Sequence, residues 1–215
     1  MKKIAILILI TITSLSCNKT DKKIEYTNNL KNCFSENEIE ILNEACTLFE
    51  SKLNEHYPKE SIGIKYKLYL KDISSLNEPI DLMRNSPNDF SVKLRNSSVF
   101  DKIWVKYSEI YYEDDSQEVQ AITNSSHMEN KTDYEPKDFY VINPKGAYFD
   151  CLINNQKNEY INEYLIAIRD ILDISPNILA SGFYESIPDK DYDDKTVRLI
   201  IAMNLYYEIQ LMIND

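Results

Sequence analysis

The chain has 215 residues, 43% hydrophobic and 27% charged, the balance of a globular domain and not of a disordered or fibrous chain. Only three glycines occur, far below the usual share of about 7%, so glycine-rich phosphate loops and arrays of tight hairpins lack their raw material. The formal charge of −11 repels nucleic-acid phosphates and anionic head groups, which speaks against DNA or RNA as a partner.

Met1-Lys2-Lys3 is a short basic start, and Ile4 to Thr13 is a nearly unbroken apolar run. A bilayer takes about 20 apolar residues to cross, so this run has the proportions of an export signal instead. Ser14-Leu15-Ser16-Cys17 closes it with small residues and a cysteine, and here the sequence resembles a bacterial lipoprotein signal. The resemblance covers this leader alone. It implies that residues 1–16 are removed, that Cys17 carries diacylglycerol, and that acyl chains tether the domain to a bilayer of the cell envelope. An ordinary secretory signal with Cys17 incidental is the alternative. Processing would leave 22 basic against 35 acidic side chains, net −13. Attachment then falls to the acyl chains, which at about 0.8 kcal/mol per buried methylene hold firmly when two or more are present.

Residues 17–34 are poor in apolar side chains and read as the lipidated cysteine with a flexible tether, leaving 35–215 as the domain. Ser35-Glu36-Asn37-Glu38 is a capping box, with Phe34 and Ile39 placed to staple it. Ile39, Leu42, Cys46, Phe49 and Leu53 follow at helical spacing and predict a helix over about 36–55, stopping before Pro58. From Ser61 to Leu76 the pattern alternates like a strand at first, but a helical face through Tyr66, Tyr69, Leu70 and Ile73 persists longer, so helix is expected. Short helical pieces are expected near 79–84, 88–94 and 99–104. The stretch 107–137 reads as a long polar loop, a length that in a compact domain is either functional or disordered.

Asn143-Pro144 predicts a cap-plus-proline start for a helix over 147–154. The alternative is a hairpin in which 139–142 pairs with 147–149 across that turn. Tyr160, Ile161, Tyr164, Leu165, Ile168, Ile171 and Leu172 mark one face of the next helix, and Ser175-Pro176 starts another that should bury Ile178, Leu179 and Phe183. The last helix, about 194–214, is apolar nearly all round: between Val197 and Ile213 only Arg198, Asn204, Glu208 and Gln210 interrupt it. It reads as a central core helix, since four polar residues argue against spanning a membrane. The expected fold is therefore all-α, a single multi-helix domain with a buried C-terminal helix, one long polar loop and, as an option, a small β-hairpin.

Beyond Cys17, the cysteines Cys33, Cys46 and Cys151 allow at most one disulfide. Cys46 and Cys151 sit among apolar residues and read as small buried hydrophobes, with a Cys46–Cys151 or Cys33–Cys46 bridge as the alternative. No CxxC, HExxH or GxSxG motif occurs, and His56 and His127, the two histidines, belong to no ligand pair. Asp189, Asp191 and Asp193 occupy positions one, three and five of a calcium loop, but Asp194 stands where glycine is needed and Ile200 where glutamate is needed. These acids read instead as capping residues of the last helix.

No nucleophile, metal or cofactor arrangement emerges, so a binding role is expected and not catalysis. Tyr111, Tyr112, Glu113, Asp114 and Asp115 form the candidate interaction surface, with amphipathic rings for contact and acids to steer a basic protein. The leading expectation is a membrane-anchored protein-binding module. A helical carrier of an apolar small ligand and an immunity-type inhibitor of a basic protein are the alternatives.

Overall fold

The structure, a computed structural model, describes residues 25–77, 79, 82, 88–111, 139–171 and 174–214. It is mostly helical with one two-stranded sheet, as an all-α fold requires. In chain order the main elements are α1 (Glu36–His56), α2 (Ile62–Ser74), α3 (Asn88–Arg95), α4 (Phe100–Ile103), β1 (Trp104–Lys106), α5 (Tyr107–Tyr111), β2 (Tyr140–Ile142), α6 (Ala147–Asn155), α7 (Glu159–Asp170) and α8 (Pro176–Ser186). A 3-10 turn, Asp189–Asp193, leads into α9, which covers 195–214 as an α stretch Lys195–Ile201, a π segment Ala202–Tyr207 and a second α stretch Glu208–Asn214.

The N-terminus of α1 forms as its capping box dictates: Ser35 Oγ accepts from the Glu38 amide, and the Glu38 carboxylate accepts from the Ser35 amide. Helix α2 stops at Ser74 because Leu76 takes a left-handed conformation at φ 56°, with the Leu76 amide donating to Ile73 and the Asn77 amide to Asp72.

Residues 25–34 correct the tether expected over 17–34. Tyr26, Thr27, Leu30 and Phe34 are buried, the Tyr26 amide donates to Asn43 Oδ1 at 2.7 Å, and a short 3-10 turn packs on α6. Four buried residues spaced through a polar segment suffice to dock it, although they show no helical period. A disulfide between Cys33 and Cys151, Cα atoms 6.1 Å apart, fastens the same segment to α6. Neither bridge considered from sequence forms, and Cys151 is a disulfide partner and not the plain buried hydrophobe expected; Cys46 keeps that reading as a buried free thiol.

A strand exists at 140–142, within the span the hairpin alternative gave it, but its partner is β1 and not 147–149. Trp104 pairs with Ile142, Val105 with Val141 and Lys106 with Tyr140, antiparallel. Residues 147–149 belong to the expected helix, whose cap lies three residues after Asn143. Asn143 uses its side-chain oxygen on the Lys145 amide instead, and Gly146 is the cap. A Cβ at Gly146 would lie 2.7 Å from the Lys102 carbonyl, so only glycine lets α6 start against α4.

Three expected core contacts are also corrected. Ile178 on α8 is 60% exposed, and Tyr160 on α7 and Ile171 just beyond it face solvent, because Ile161, Leu165 and Ile168, with Tyr164 packed beside them, carry the buried face. Leu179, Ala180 and Phe183 bury α8 against α2. The piece expected at 79–84 lies mostly outside the described residues, and so does most of 107–137, whose first five residues form α5.

Helix α9 is the core element. Every residue from Thr196 to Leu211 is buried, and α1, β2, α8 and the 3-10 turn pack around it. Asp194 caps it, accepting from the Thr196 and Val197 amides. Phe49 of α1 stacks on Tyr206 at 4.3 Å, Tyr69 of α2 meets Phe49 edge-on, and the Tyr207 hydroxyl donates to the Ala45 carbonyl. No helix among the described residues is long and apolar enough to cross a membrane.

Candidate ligand pocket at Glu208

The four polar residues of α9 do not form a solvated stripe. All are buried, and each must find a partner inside the protein or remain unsatisfied at a cost of about 1–3 kcal/mol. Arg198 is satisfied: Nε donates to the Tyr192 carbonyl, Nη2 to Asp193 and Nη1 to Glu50, with the guanidinium over the Tyr66 ring. Gln210 donates to the Tyr206 hydroxyl. Asn204, in the π segment, has no hydrogen-bond partner on either amide atom.

Glu208 is half satisfied. It follows the π segment directly, where the wider i→i+5 turn re-phases the helix relative to a continuous α-helix, and π segments recur at functional sites. Its Oε1 accepts from the Ile142 amide of β2 at 2.9 Å, while Oε2 is buried without a partner. The side chain is 5% exposed. Burial pushes its carboxyl up to about 8, only partly offset by the Ile142 hydrogen bond, so it is largely protonated at neutral pH.

Glu208 lies on the wall of a pocket of about 160 Å³ between β2, α5, α7, α8 and α9. Val141, Ile142, Ile168, Leu179 and Met212 supply apolar walls, and among the described residues Glu208 is the one ionisable acid or base of the Asp, Glu, Lys, Arg and His kinds in the lining. Tyr107 and Phe139 stack at 4.9 Å on one side, held by the Tyr107 amide donating to the Phe139 carbonyl beyond the sheet. Behind the wall the Tyr164 hydroxyl is buried and unpartnered, its pKa raised first by burial and then by the charge of Glu208. An apolar pocket with one convergent, strongly perturbed polar group is the usual form of a small-molecule site. Its volume matches a cavity of about 150 Å³ known to admit a benzene-sized molecule.

Of the residues singled out from sequence as candidate sites, none that the structure describes lines this pocket. Cys17, His127 and Tyr112 to Asp115 lie outside the described residues, and Tyr111 ends α5. His56 closes α1 edge-on to Tyr57. The acids of 189–194 are spent separately: Asp189 on Lys67, Asp191 on Asn158, Asp193 on Arg198 and Asp194 on the cap of α9. Glu208 was visible in the sequence only as an acid inside a run with no polar face. Compared with known proteins, the chain matches no family, no curated protein and no solved structure.

Proposed function

We propose that this chain is a non-catalytic binding domain for a small, mostly apolar molecule bearing one polar group, displayed at a membrane surface by lipid on Cys17. The observation that carries the reading is the orphan Oε2 of Glu208 in an otherwise apolar pocket. A purely structural wall would be better served by Leu or Met, since a half-satisfied buried carboxyl lowers stability. Among the described residues of the lining Glu208 is the one carboxyl, with no His, Lys or Cys beside it, which supports binding over turnover. The protein-binding alternative draws on the acidic balance and on the segment 111–115, and the pocket is the more specific observation.

Native mass spectrometry of protein purified without denaturation tests this reading. A small-molecule adduct is expected on the wild type and not on Leu179→Trp, whose indole would fill the pocket. An adduct of equal abundance on both would place the ligand elsewhere and defeat the reading. The anchor is tested separately: Cys17→Ala should move the protein from the membrane to the soluble fraction, and continued sedimentation would remove the lipoprotein part.

A further inference from the structure

Resting on the ligand-binding reading above, we propose that the pocket takes a small organic cation, an alkylammonium whose head pairs with Glu208 while its carbon body lies against Val141, Ile168 and Leu179. The geometry discriminates between ligand charges. Oε1 is already engaged by the Ile142 amide, so the free valence of the site is the single oxygen Oε2. Among the described residues no Lys, Arg or His lines the pocket, so an anion would meet a carboxyl and no counter-charge from them. A plain hydrocarbon would leave Oε2 unsatisfied. An ammonium head supplies both a hydrogen-bond donor and the charge that a buried carboxylate lacks. The stacked pair Tyr107 and Phe139 adds ring density that favours a cation, and the acidic chain raises the local concentration of cations around it.

Binding carries a proton balance. Below about pH 8 the ammonium enters charged, the protonated Glu208 gives up its carboxyl proton to solvent, and the complex holds the ion pair, so up to one proton is released per ligand bound. Among the described residues, the other titratable groups around Glu208 are the phenols of Tyr107 on α5, in the lining, and Tyr164 on α7, while β2 and α8 line the pocket with no titratable side chain. Since Glu208 ionises at about 8 in the empty protein, ammonium affinity should rise about tenfold per pH unit from 6 towards 8 and then level off. A neutral ligand that accepts from the protonated carboxyl would show the opposite trend.

The test is a titration of the full chain with hexylamine, 1-hexanol and hexanoate at pH 6, 7, 8 and 9, followed by amide NMR shifts of residues lining the pocket. Hexylamine, charged throughout this range like a lysine head group, should bind with the stated pH slope and at pH 8 exceed 1-hexanol by at least about tenfold in affinity. Glu208→Gln should abolish both the preference and the slope. Leu179→Trp, which keeps Glu208, should abolish hexylamine binding. Equal binding of 1-hexanol without a pH slope, or a preference for hexanoate, would overturn the cation and leave the pocket reading intact. No response to any of the three would overturn both, and undiminished hexylamine binding by Leu179→Trp would place the cation site elsewhere.

Discussion

Lys102 of α4 reaches the Glu38 carboxylate at 2.8 Å, joining the first turn of α1 to an element 64 positions later. Glu38 is buried, and Ser98 Oγ and the Ser35 amide donate to it as well. The capping box is thus also a tertiary clasp.

That clasp makes stability depend on acid. Burial alone would raise the Glu38 carboxyl, but hydrogen bonds from Lys102, the Ser35 backbone and Ser98 outweigh it and hold it down to about 2. A depressed carboxyl stabilises the fold above its unfolded pKa, and the benefit disappears as pH falls from about 4.5 towards 2. Glu38→Gln should lower stability at pH 7 by about 3 kcal/mol and flatten the acid limb. Urea midpoints measured from pH 7 to 2 check this, and parallel curves for the two proteins would contradict it.

Arg198 and Glu50 form a nearly buried pair, their side chains 8% and 12% exposed. Arg198→Ala leaves Glu50 without its counter-ion and strips the 3-10 turn of its anchors at Tyr192 and Asp193. The expected loss is about 3–5 kcal/mol, read by chemical denaturation. A loss within about 0.5 kcal/mol, typical of an exposed surface change, would show that the pair is solvated.

The Cys33–Cys151 disulfide closes a loop of 118 positions. Loop entropy for that length predicts a stabilisation of about 5 kcal/mol. Cys33→Ser with Cys151→Ser should reproduce the melting behaviour of the reduced wild type and become insensitive to reductant. If the wild type melts identically with and without reductant, the bridge does not form in solution.

Much of the fold was legible in local patterns. The capping box set the start of α1, and the near absence of a polar face marked α9 as the core helix. The strand at 140–142 was legible too, but its pairing was not: a three-residue strand carries too little pattern to choose between a near partner and β1, more than 30 positions earlier. Residues 25–34 escaped because a docked segment without helical period resembles a tether in composition. Ile178 and Tyr160 were misplaced because apolar residues at the edge of a helical face can turn to solvent at little cost. The pocket was invisible because it joins Tyr107, Ile168 and Glu208 from three helices with Phe139 from the segment before β2, and a π segment breaks the 3.6-residue phase by which Glu208 could have been placed.

Glu208 should also leave a signature in stability. Its carboxyl is raised to about 8 in the folded protein, so the unfolded chain ionises first and stability falls as pH rises from about 4.5 to 8, then levels off. Glu208→Gln should remove that decline and be the more stable protein at pH 8, by up to about 5 kcal/mol. Denaturation of both proteins from pH 5 to 9 checks the sign, and a wild type that is equally stable across this range would contradict it.

The most direct measurement of the central claim is a carbon NMR titration of the glutamate carboxyl groups in the full chain, with Glu208→Gln to assign the resonance. The account predicts one glutamate that ionises near pH 8, is absent from the variant, and ionises at lower pH once hexylamine is added. A Glu208 that titrates with the ordinary glutamates near pH 4 to 5 and ignores the amine would mean that it faces water, and the pocket would lose its polar anchor.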